Sequence, residues 1–292
     1  MSDECIHGLE DQLCASCFPK AAPAVATTAP RVVRAPASKA REAASPTTLR
    51  TAVVAKSPAA ASLKPTAVKS PAAPVGEQRI YHVTHINNLA QVLSSGCLLA
   101  DASDAWDQRP AIDISAAPTR EARREALVAG EGSSAAANYV PFFLSPDSEV
   151  WNSIRSQDAD PRLSKDAYDA DAYDFVILVS TVGRARDHAG EDAAARIAVS
   201  DGDASAASTR FATTPEASER MLQRLRADQD STAILAAEFL VADQFPFELV
   251  SLIGVANDKV RVAVKGILAA SDFRPKVAVY PPWFQPAEQP AP

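Results

Sequence analysis

The feature that most limits how this chain can fold is residues 20–77, a stretch dominated by Pro, Ala, Ser, Thr and Lys that contains no aromatic residue. No helical or strand-like spacing of apolar residues persists through it. Such a segment buries too little apolar surface to offset the conformational entropy lost on ordering. We therefore predict that it is a disordered linker, that residues 78–292 form the folded domain, and that residues 1–19 are a separate short segment.

The net charge of −7 is unevenly distributed along the chain. Residues 20–79 carry ten Lys and Arg against two acidic residues, whereas residues 80–292 carry thirty acidic against nineteen basic residues. The sequence therefore predicts an acidic body on a basic tether. This tether is either a plain spacer or a tail that attracts a polyanion such as nucleic acid.

The N-terminal sequence CIHGLEDQLCASC places Cys5, His7, Cys14 and Cys17 within thirteen residues. Four nitrogen and sulfur ligands suit a tetrahedral zinc ion, and four protein ligands leave no open coordination position. We therefore predict a structural zinc site that folds on binding the metal. The alternative is a disordered tail with incidental thiols. Cys97 follows a predicted helix among apolar residues and is expected in the core.

The expected location follows from two further features of the sequence. No run of about 18 apolar residues occurs, so we expect no membrane span. The N-terminus, MSDECIHGLEDQ, is acidic and polar, unlike a secretory signal peptide. We therefore expect a cytoplasmic, reducing location, in which cysteines are free thiols or metal ligands rather than disulfides.

Helices and strands alternate irregularly in the body, without a βαβ repeat, which predicts an α+β fold. Strands are predicted at 79–84, 138–145, 174–181, 251–256 and 276–283, and helices at 87–95, 145–156, 213–227 and 257–270. Thr214 is expected to cap the third of these helices, with Pro215 in its first turn. Residues 234–241, ILAAEFLV, fit either a strand or a helix.

Three polar residues in the body attract attention on chemical grounds. His82 and His85 stand three residues apart on and just after a predicted strand, so their side chains point to opposite faces and do not share a metal. They are either core residues or part of a cofactor pocket. Glu238 is the ionisable residue in ILAAEFLV, where a carboxylate is costly unless it is paired, functional or turned outward on a strand.

Four blocks of the body, in order, resemble the DarT family of NAD-dependent DNA ADP-ribosyltransferases. They are IYHVTHINNLAQVLSSGCLLAD (80–101), YVPFFLSP (139–146), AEFLVADQFPFELVSLIGV (237–255) and VAVYPPWF (277–284). The resemblance covers residues 79 to about 284 and none of the N-terminal extension. It implies an ADP-ribosyltransferase-like split-sheet fold, in which two small sheets face each other, NAD lies in the cleft between them, and helices lie outside.

The resemblance also implies roles for particular residues. Glu238 becomes the catalytic carboxylate, which stabilises the positive charge that develops on ribose when its glycosidic bond breaks. Arg123 becomes the catalytic arginine, which also contacts the cofactor and acts towards thymine; Arg120 is the alternative. The NAD contacts are expected at His82, Val83, Thr84, Gln91 and Leu99. His85 is then a supporting residue.

Two positions depart from the family pattern. Asp203 stands where some members have a histidine, and Phe143 stands where a tyrosine is often found. Both departures concern the choice of DNA base and the turnover rate, because the glutamate and arginine are retained.

The function implied by the resemblance is ADP-ribosylation of a base, thymine above all, in single-stranded DNA, where no base pair has to be opened. Such enzymes are toxins that a macrodomain-type or other ADP-ribosyl-hydrolase antitoxin counteracts, and we expect a monomer. Two alternatives stay open. One is a related transferase acting on RNA or protein, and the other is a non-catalytic nucleic-acid-binding module.

Overall fold

The computed structural model describes residues 74–128, 133–227 and 232–286. The predicted zinc ligands Cys5, His7, Cys14 and Cys17 and nearly all of the predicted linker lie outside these residues. At the end of the predicted linker, Val75–Glu77 form a 3-10 helix in which the Val75 side chain is buried.

Short strands and helices follow one another through the described residues. The strands are β1 Arg79–His85, β2 Cys97–Leu99, β3 Leu127–Val128, β4 Ser134–Ala135, β5 Tyr139–Phe143, β6 Phe175–Thr181, β7 Ile197–Ser200, β8 Phe211–Ala212, β9 Glu238–Ala242, β10 Gln244–Pro246, β11 Leu252–Val255 and β12 Lys276–Val279. The helices are α1 Ile86–Ser95, α2 Ala117–Glu125, α3 Glu149–Ser156, α4 Lys165–Asp169, α5 Val182–Ala189, α6 Ala193–Arg196, α7 Pro215–Ala227, α8 Ala233–Ala236 and α9 Asp258–Ala269.

The main sheet of the described residues is mixed and has eight strands, in the order β12-β11-β6-β1-β5-β9-β7-β8. β1 pairs with β6 along its whole length, but it meets β5 only at the pair Tyr81 and Phe143. Two four-stranded halves are therefore joined at a single residue pair. The expectation of two small separate sheets is wrong in this respect, because that pair makes the hydrogen-bonded sheet continuous; the predicted α+β mixture is confirmed.

Most predicted elements are confirmed, and two differ for local reasons. The ambiguous stretch 234–241 is divided between α8 and β9, with the change at Ala237. The last predicted strand is shorter than expected, because Pro281 and Pro282 lack amide hydrogens and fix their φ angles, and they begin a 3-10 helix instead. Thr214 caps α7, since its hydroxyl accepts a hydrogen bond from the Ala217 amide.

The apolar core lies against β6, whose residues from Phe175 to Ser180 are all buried. The 3-10 helix Pro281–Trp283 packs closely on β11: a Cβ atom at Gly254 would lie 2.7 Å from the Trp283 ring. The Trp283 carbonyl accepts hydrogen bonds from the Trp151 indole at 2.6 Å and from Arg155 at 3.1 Å. None of the helices in the described ranges is long and apolar enough to cross a membrane.

Candidate active site

A cleft of about 900 Å³ opens where β1 and β5 part beyond their single pair. Its walls come from β1, α1, β2, α2, α3, β5 and the loop 101–115. Every predicted cofactor residue lines this cleft, as does the predicted catalytic pair: His82, Val83, Thr84, Gln91, Leu99, Arg123 and Glu238. The fold therefore brings together residues that lie more than 150 positions apart in the sequence.

Glu238 is the first residue of β9 and is only 4% exposed. The short helix α8 ends just before it, and the strand begins with its amide donating to the Ser200 hydroxyl at 2.9 Å. Its Oε1 accepts a hydrogen bond from the Ala204 amide at 2.9 Å. The Ser200 hydroxyl thus fixes the backbone of Glu238, and the Ala204 amide, in the loop that follows β7, holds its carboxylate.

Arg123, in the last turn of α2, is the cation that faces this carboxylate. Its Nη1 lies 3.0 Å from both Oε1 and Oε2 of Glu238, and the arginine side chain is 12% exposed. Its Nη2 is buried and has no hydrogen-bond partner among the residues that the structure describes. A buried donor without a partner is costly in a folded protein and marks a place where a ligand atom can accept a bond.

The environment of Glu238 sets its ionisation. Burial raises the pKa of its carboxyl, and the Asp203 charge raises it further, whereas Arg123 and the Ala204 amide lower it. The net result is a pKa above the ordinary value for glutamate. The carboxyl therefore changes charge closer to neutral pH than a solvated glutamate does.

The other two arginines of α2 have partners away from Glu238. Arg120 pairs with Asp113. Arg124 pairs with Asp101 at 2.9 Å and with Glu121 at 3.0 Å, near the surface. Of the three arginines in this helix, Arg123 is therefore the one in contact with Glu238.

His82 lies on β1 with its ring in the cleft wall. Its Nδ1 donates to the Pro141 carbonyl at 2.9 Å, which leaves Nε2 as the nitrogen that can accept a hydrogen bond. Burial lowers the pKa of this imidazole, partly offset by the bond to Pro141. The ring is therefore neutral near pH 7 and acts through hydrogen bonding rather than charge.

His85 is a structural residue. It caps α1, since its Nδ1 accepts from the Asn87 amide at 3.2 Å, and its ring packs edge-on against Phe175 with centroids 5.2 Å apart. Thr84, next to it, accepts from the Asn88 side chain at 3.2 Å, and the same amide group bonds the backbone of Ile112. These bonds fix the end of β1 to the loop that covers the cleft.

Gln91 and Leu99 line the cleft from α1 and β2. The Gln91 amide donates to the Gln108 carbonyl in the covering loop, and Leu99 pairs with Gln244 on the small sheet β2–β10. The prediction that Cys97 is a core residue is wrong: its side chain is half-buried on β2 and lines the cleft. Apolar neighbours in sequence do not distinguish a cleft wall from a core.

The two departures from the family pattern both fall on the cleft. Phe143 joins the sheet halves by pairing with Tyr81 and sits opposite Glu238 on β9. Asp203 accepts hydrogen bonds from the Ser205 amide and hydroxyl and from Arg162. Burial alone would raise the pKa of Asp203, but these bonds and the nearby Arg123 charge outweigh it and lower the pKa.

Arg162 is a cleft residue that the sequence did not indicate. It lies in an irregular loop, where no spacing of apolar residues or known motif singles it out. Among residues 74–128, 133–227 and 232–286, no group of three or more His, Cys, Asp or Glu is placed to hold a metal ion. The predicted zinc ligands lie outside these ranges.

Comparison with known proteins gives one consistent result. A family model described as ssDNA thymidine ADP-ribosyltransferase, DarT, matches residues 81–285. A DNA ADP-ribosyl transferase of Thermus aquaticus is 32% identical over 220 residues, which cover 70% of this chain and 88% of that protein. The corresponding protein of Mycobacterium tuberculosis is 26% identical over 202 residues, 65% of this chain and 81% of the relative.

Solved structures of DarT share this fold. Thermus sp. 2.9 DarT in complex with NAD+ aligns with a TM-score of 0.53 at 25% identity, over 71% of this chain and 98% of that one. The same protein in complex with ADP-ribosylated ssDNA aligns with a TM-score of 0.58 at 24% identity, over 71% and 96%.

Proposed function

This chain belongs to the DarT family of single-stranded DNA thymidine ADP-ribosyltransferases, and from that premise we propose how its own residues transfer ADP-ribose from NAD to a DNA base. The observation that carries the proposal is the buried pair of Glu238 and Arg123 at the cleft between the sheet halves. A carboxylate and a cation in direct contact can act together on one reacting centre, the first on the ribose and the second on the attacking base.

The cleft suits NAD in size and in polar groups. Its volume of about 900 Å³ falls within the range of roughly 300–1,000 Å³ that ligand sites occupy. The buried Nη2 of Arg123 is a donor that a ribose or phosphate oxygen would satisfy. We assign the cofactor contacts to His82, through its accepting Nε2, and to Thr84. Further contacts are assigned to Val83, Gln91, Leu99 and Arg123 itself.

Glu238 carries the first half of the chemistry. Breaking the nicotinamide–ribose bond develops positive charge at the anomeric carbon, as in glycoside hydrolysis. A carboxylate beside that ribose stabilises the charge and holds the ribose hydroxyls. Arg123 supports this role of Glu238, because its charge opposes the effect of burial on the Glu238 pKa and keeps the carboxyl able to ionise.

Arg123 carries the second half. As the ribose–nicotinamide bond breaks and neutral nicotinamide leaves, thymine N3 bonds to the anomeric carbon and gives up its proton to solvent water. The negative charge that develops on the base needs a nearby positive charge. Because arginine is not deprotonated in proteins, we assign Arg123 to stabilising that negative charge rather than to taking up the proton. Arg120 is the weaker candidate, since its guanidinium pairs with Asp113.

The partners follow from the reaction. Single-stranded DNA is the substrate, because its bases are accessible without opening a pair. We propose that the enzyme is a monomeric, cytoplasmic toxin, and that an ADP-ribosyl hydrolase, macrodomain-type or other, acts as its antitoxin. The structure of Thermosipho africanus DarTG in complex with ADP-ribose aligns with a TM-score of 0.52 at 16% identity, over 51% of that longer chain.

We retain the N-terminal zinc site as a proposal on sequence grounds. Cys5, His7, Cys14 and Cys17 would provide a complete tetrahedral set. Metal analysis of the full chain should find about one zinc per molecule, lost in Cys14→Ser. Zinc content unchanged by that substitution would remove this assignment.

The function is tested by mass spectrometry of oligonucleotides. The full chain is incubated with NAD and with single-stranded and duplex oligonucleotides that contain or lack thymine. We expect one ADP-ribose added to thymine-containing single strands, and none with Glu238→Ala. Modification of RNA or protein alone would move the chain to another substrate class, and binding of DNA without any consumption of NAD would make it a binding module.

A further inference from the structure

Arg162 lines the cleft but has no part in the chemistry described above. It lies between α3 and α4, and its side chain is 26% exposed. Its Nε and Nη2 donate to the Asp160 carboxylate, at 2.9 and 2.7 Å. Its Nη1 reaches Asp203 at 3.2 Å and Glu149 at 3.3 Å. One guanidinium therefore connects three carboxylates from three separate parts of the chain.

The side chain of Arg162 is connected to Glu238 by hydrogen bonds that run through the loop after β7. Asp203, its partner there, also accepts from Ser205, and its carbonyl accepts from the Thr209 hydroxyl at 2.6 Å. These bonds close residues 203–209 into a compact turn. The next residue, Ala204, is fully buried and donates its amide to Glu238 Oε1 at 2.9 Å. Fixing Asp203 therefore fixes the amide that holds the carboxylate.

The backbone of Arg162 is hydrogen-bonded to the start of the helix that carries Arg123. Its carbonyl accepts the Ala116 amide at 2.8 Å, and Ala116 is the residue just before α2, the helix that carries Arg123. The Ser164 amide bonds the Ile114 carbonyl at 2.8 Å beside it. The same short loop is thus hydrogen-bonded both to the helix of the catalytic arginine and to the turn that touches the catalytic glutamate.

We propose that Arg162 is a positioning residue, which aligns the Ala204 amide and the Glu238 carboxylate with Arg123 by holding Asp203. The catalytic role of Arg162 rests on the proposed function. The structural link between Arg162 and the 203–209 turn is independent of that function.

The alternative role for an arginine in such a cleft is to bind a phosphate of NAD or DNA directly. Two observations favour positioning. All three side-chain nitrogens of Arg162 already donate to carboxylates, and the negative charges of Glu149, Asp160 and Asp203 outnumber its single positive charge. A phosphate would have to displace these partners and enter a locally negative site, which costs free energy.

The test compares Arg162→Gln, Asp203→Asn, the double variant and Arg162→Lys with a matched control, Arg210→Gln. The Arg210 side chain pairs with Asp201 at 2.9 Å on the same loop, and within the described part of the chain it has no hydrogen bond or ion pair with the 203–209 turn or Glu238. Three quantities are measured on the full chain. The first is amide hydrogen exchange across residues 200–210, and the second is kcat with KM for NAD and for a thymine-containing single strand. The third is the acid limb, which is the part of the pH profile in which kcat falls as pH is lowered.

We expect exchange at the Ala204 amide to rise at least about tenfold in Arg162→Gln and in Asp203→Asn, and to stay unchanged in Arg210→Gln. The kcat should fall at least about tenfold in both, with KM within about threefold. The double variant should resemble either single one, because the two residues act as one unit, and Arg162→Lys should recover part of kcat.

The acid limb separates positioning from simple charge. Asp203 raises the pKa of Glu238 by its charge, whereas the Ala204 amide lowers it. If Asp203→Asn only removed a charge, the acid limb would move to lower pH. Release of the Ala204 amide opposes that shift without reversing it, because the Asp203 charge has the larger influence on the Glu238 pKa. Arg162→Gln keeps the Asp203 charge, so in that variant release of the Ala204 amide, as we propose, moves the acid limb to higher pH.

The proposal is overturned by unchanged amide exchange, by a rise in KM with constant kcat, which would make Arg162 a substrate ligand, or by an acid limb that does not move to higher pH in Arg162→Gln. A wild-type chain that modifies no DNA would remove the proposed function instead. In that case hydrogen exchange alone still decides whether Arg162 holds the turn.

Discussion

Arg155 and Arg123 are two arginines on short helices, both shielded from solvent, yet they serve different ends. The Arg155 side chain is 1% exposed, and each of its three nitrogens has a partner: Asn152, Asp147 and the Trp283 carbonyl. Arg123 is 12% exposed and directs one nitrogen to Glu238, while its buried Nη2 has no partner in the described part of the chain.

The difference teaches how to separate a structural from a functional buried charge. An unmet buried donor costs about 1–3 kcal/mol, and Arg155 has none. An unmet donor alone does not mark a functional cation, since Nη2 of Arg186, outside this cleft, is also buried without a partner in the described residues; the donor of Arg123 lies in the cleft beside Glu238. A cation placed for chemistry keeps a donor for the substrate, and the fold tolerates that cost. Arg155 joins the 3-10 helix Pro281–Trp283 to α3, whereas we propose that Arg123 faces the reacting bond.

The largest effect is expected from Arg123→Gln. Removing the charge that stabilises the developing anion should lower kcat by about 10³-fold on a thymine-containing single strand. The matched comparison is Arg155→Gln, which should keep kcat per folded molecule within about threefold. Equal losses of activity in the two variants would contradict the distinction drawn between them.

Arg123→Gln also has a pH signature in stability. Without its cation, buried Glu238 has a pKa raised further, so it is protonated in the folded state over a wider range of pH. A raised folded pKa gives stability that is present at low pH and lost as pH rises through that pKa. Relative to wild type, the free energy of unfolding of this variant should therefore decline as pH rises from the Glu238 pKa of the folded wild type to the higher pKa of the folded variant, measured by urea denaturation.

Arg155→Gln is expected to act on stability. It leaves the Asp147 carboxylate without its cation and removes one of two donors to the Trp283 carbonyl, at a cost of about 1–3 kcal/mol. Asp147 is half-exposed, so water replaces part of what is lost. Thermal unfolding should show a lower Tm than that of the wild type at pH 7. An unchanged Tm would show that the link between α3 and the 3-10 helix Pro281–Trp283 is not stabilising.

The wild-type enzyme should show a smaller, graded effect of pH. Glu238 acts as a carboxylate, and burial raises its pKa above the ordinary value of 4.5. The kcat should therefore rise with pH through that raised pKa and level off above it, about tenfold per unit on the acid side. The measurement is kcat at saturating NAD and DNA; an acid limb at or below 4.5 would contradict the assigned environment.

The sequence predicted much of this fold because strands and helices here follow apolar spacing. β1, β6, α7 and α9 lie where that spacing indicated them. Continuity of the main sheet could not be predicted, since it depends on one tertiary pair, Tyr81 with Phe143. The half-buried Cys97 was misassigned to the core, because a cleft wall is as apolar in sequence as a core strand.

The candidate site divides in the same way. Glu238 stood out as an ionisable residue in an apolar run, and the family resemblance drew attention to Arg123, His82 and Thr84. Arg162 gave no signal, because its contacts with Glu149, Asp160 and Asp203 join loops whose meeting is set by the packed fold. Local patterns predict elements and some chemistry, but not ion pairs between irregular segments.

The smallest effect is expected from Arg120→Gln, which sharpens the contrast within a single helix. Arg120 lies one turn before Arg123 but pairs with Asp113, and both partners are partly exposed. Exposed ion pairs contribute about 0–1 kcal/mol, so stability should change little. Transfer to the oligonucleotide should stay within about threefold of wild type. A loss as large as that of Arg123→Gln would instead make Arg120 the catalytic arginine and leave Arg123 as the structural partner of Glu238.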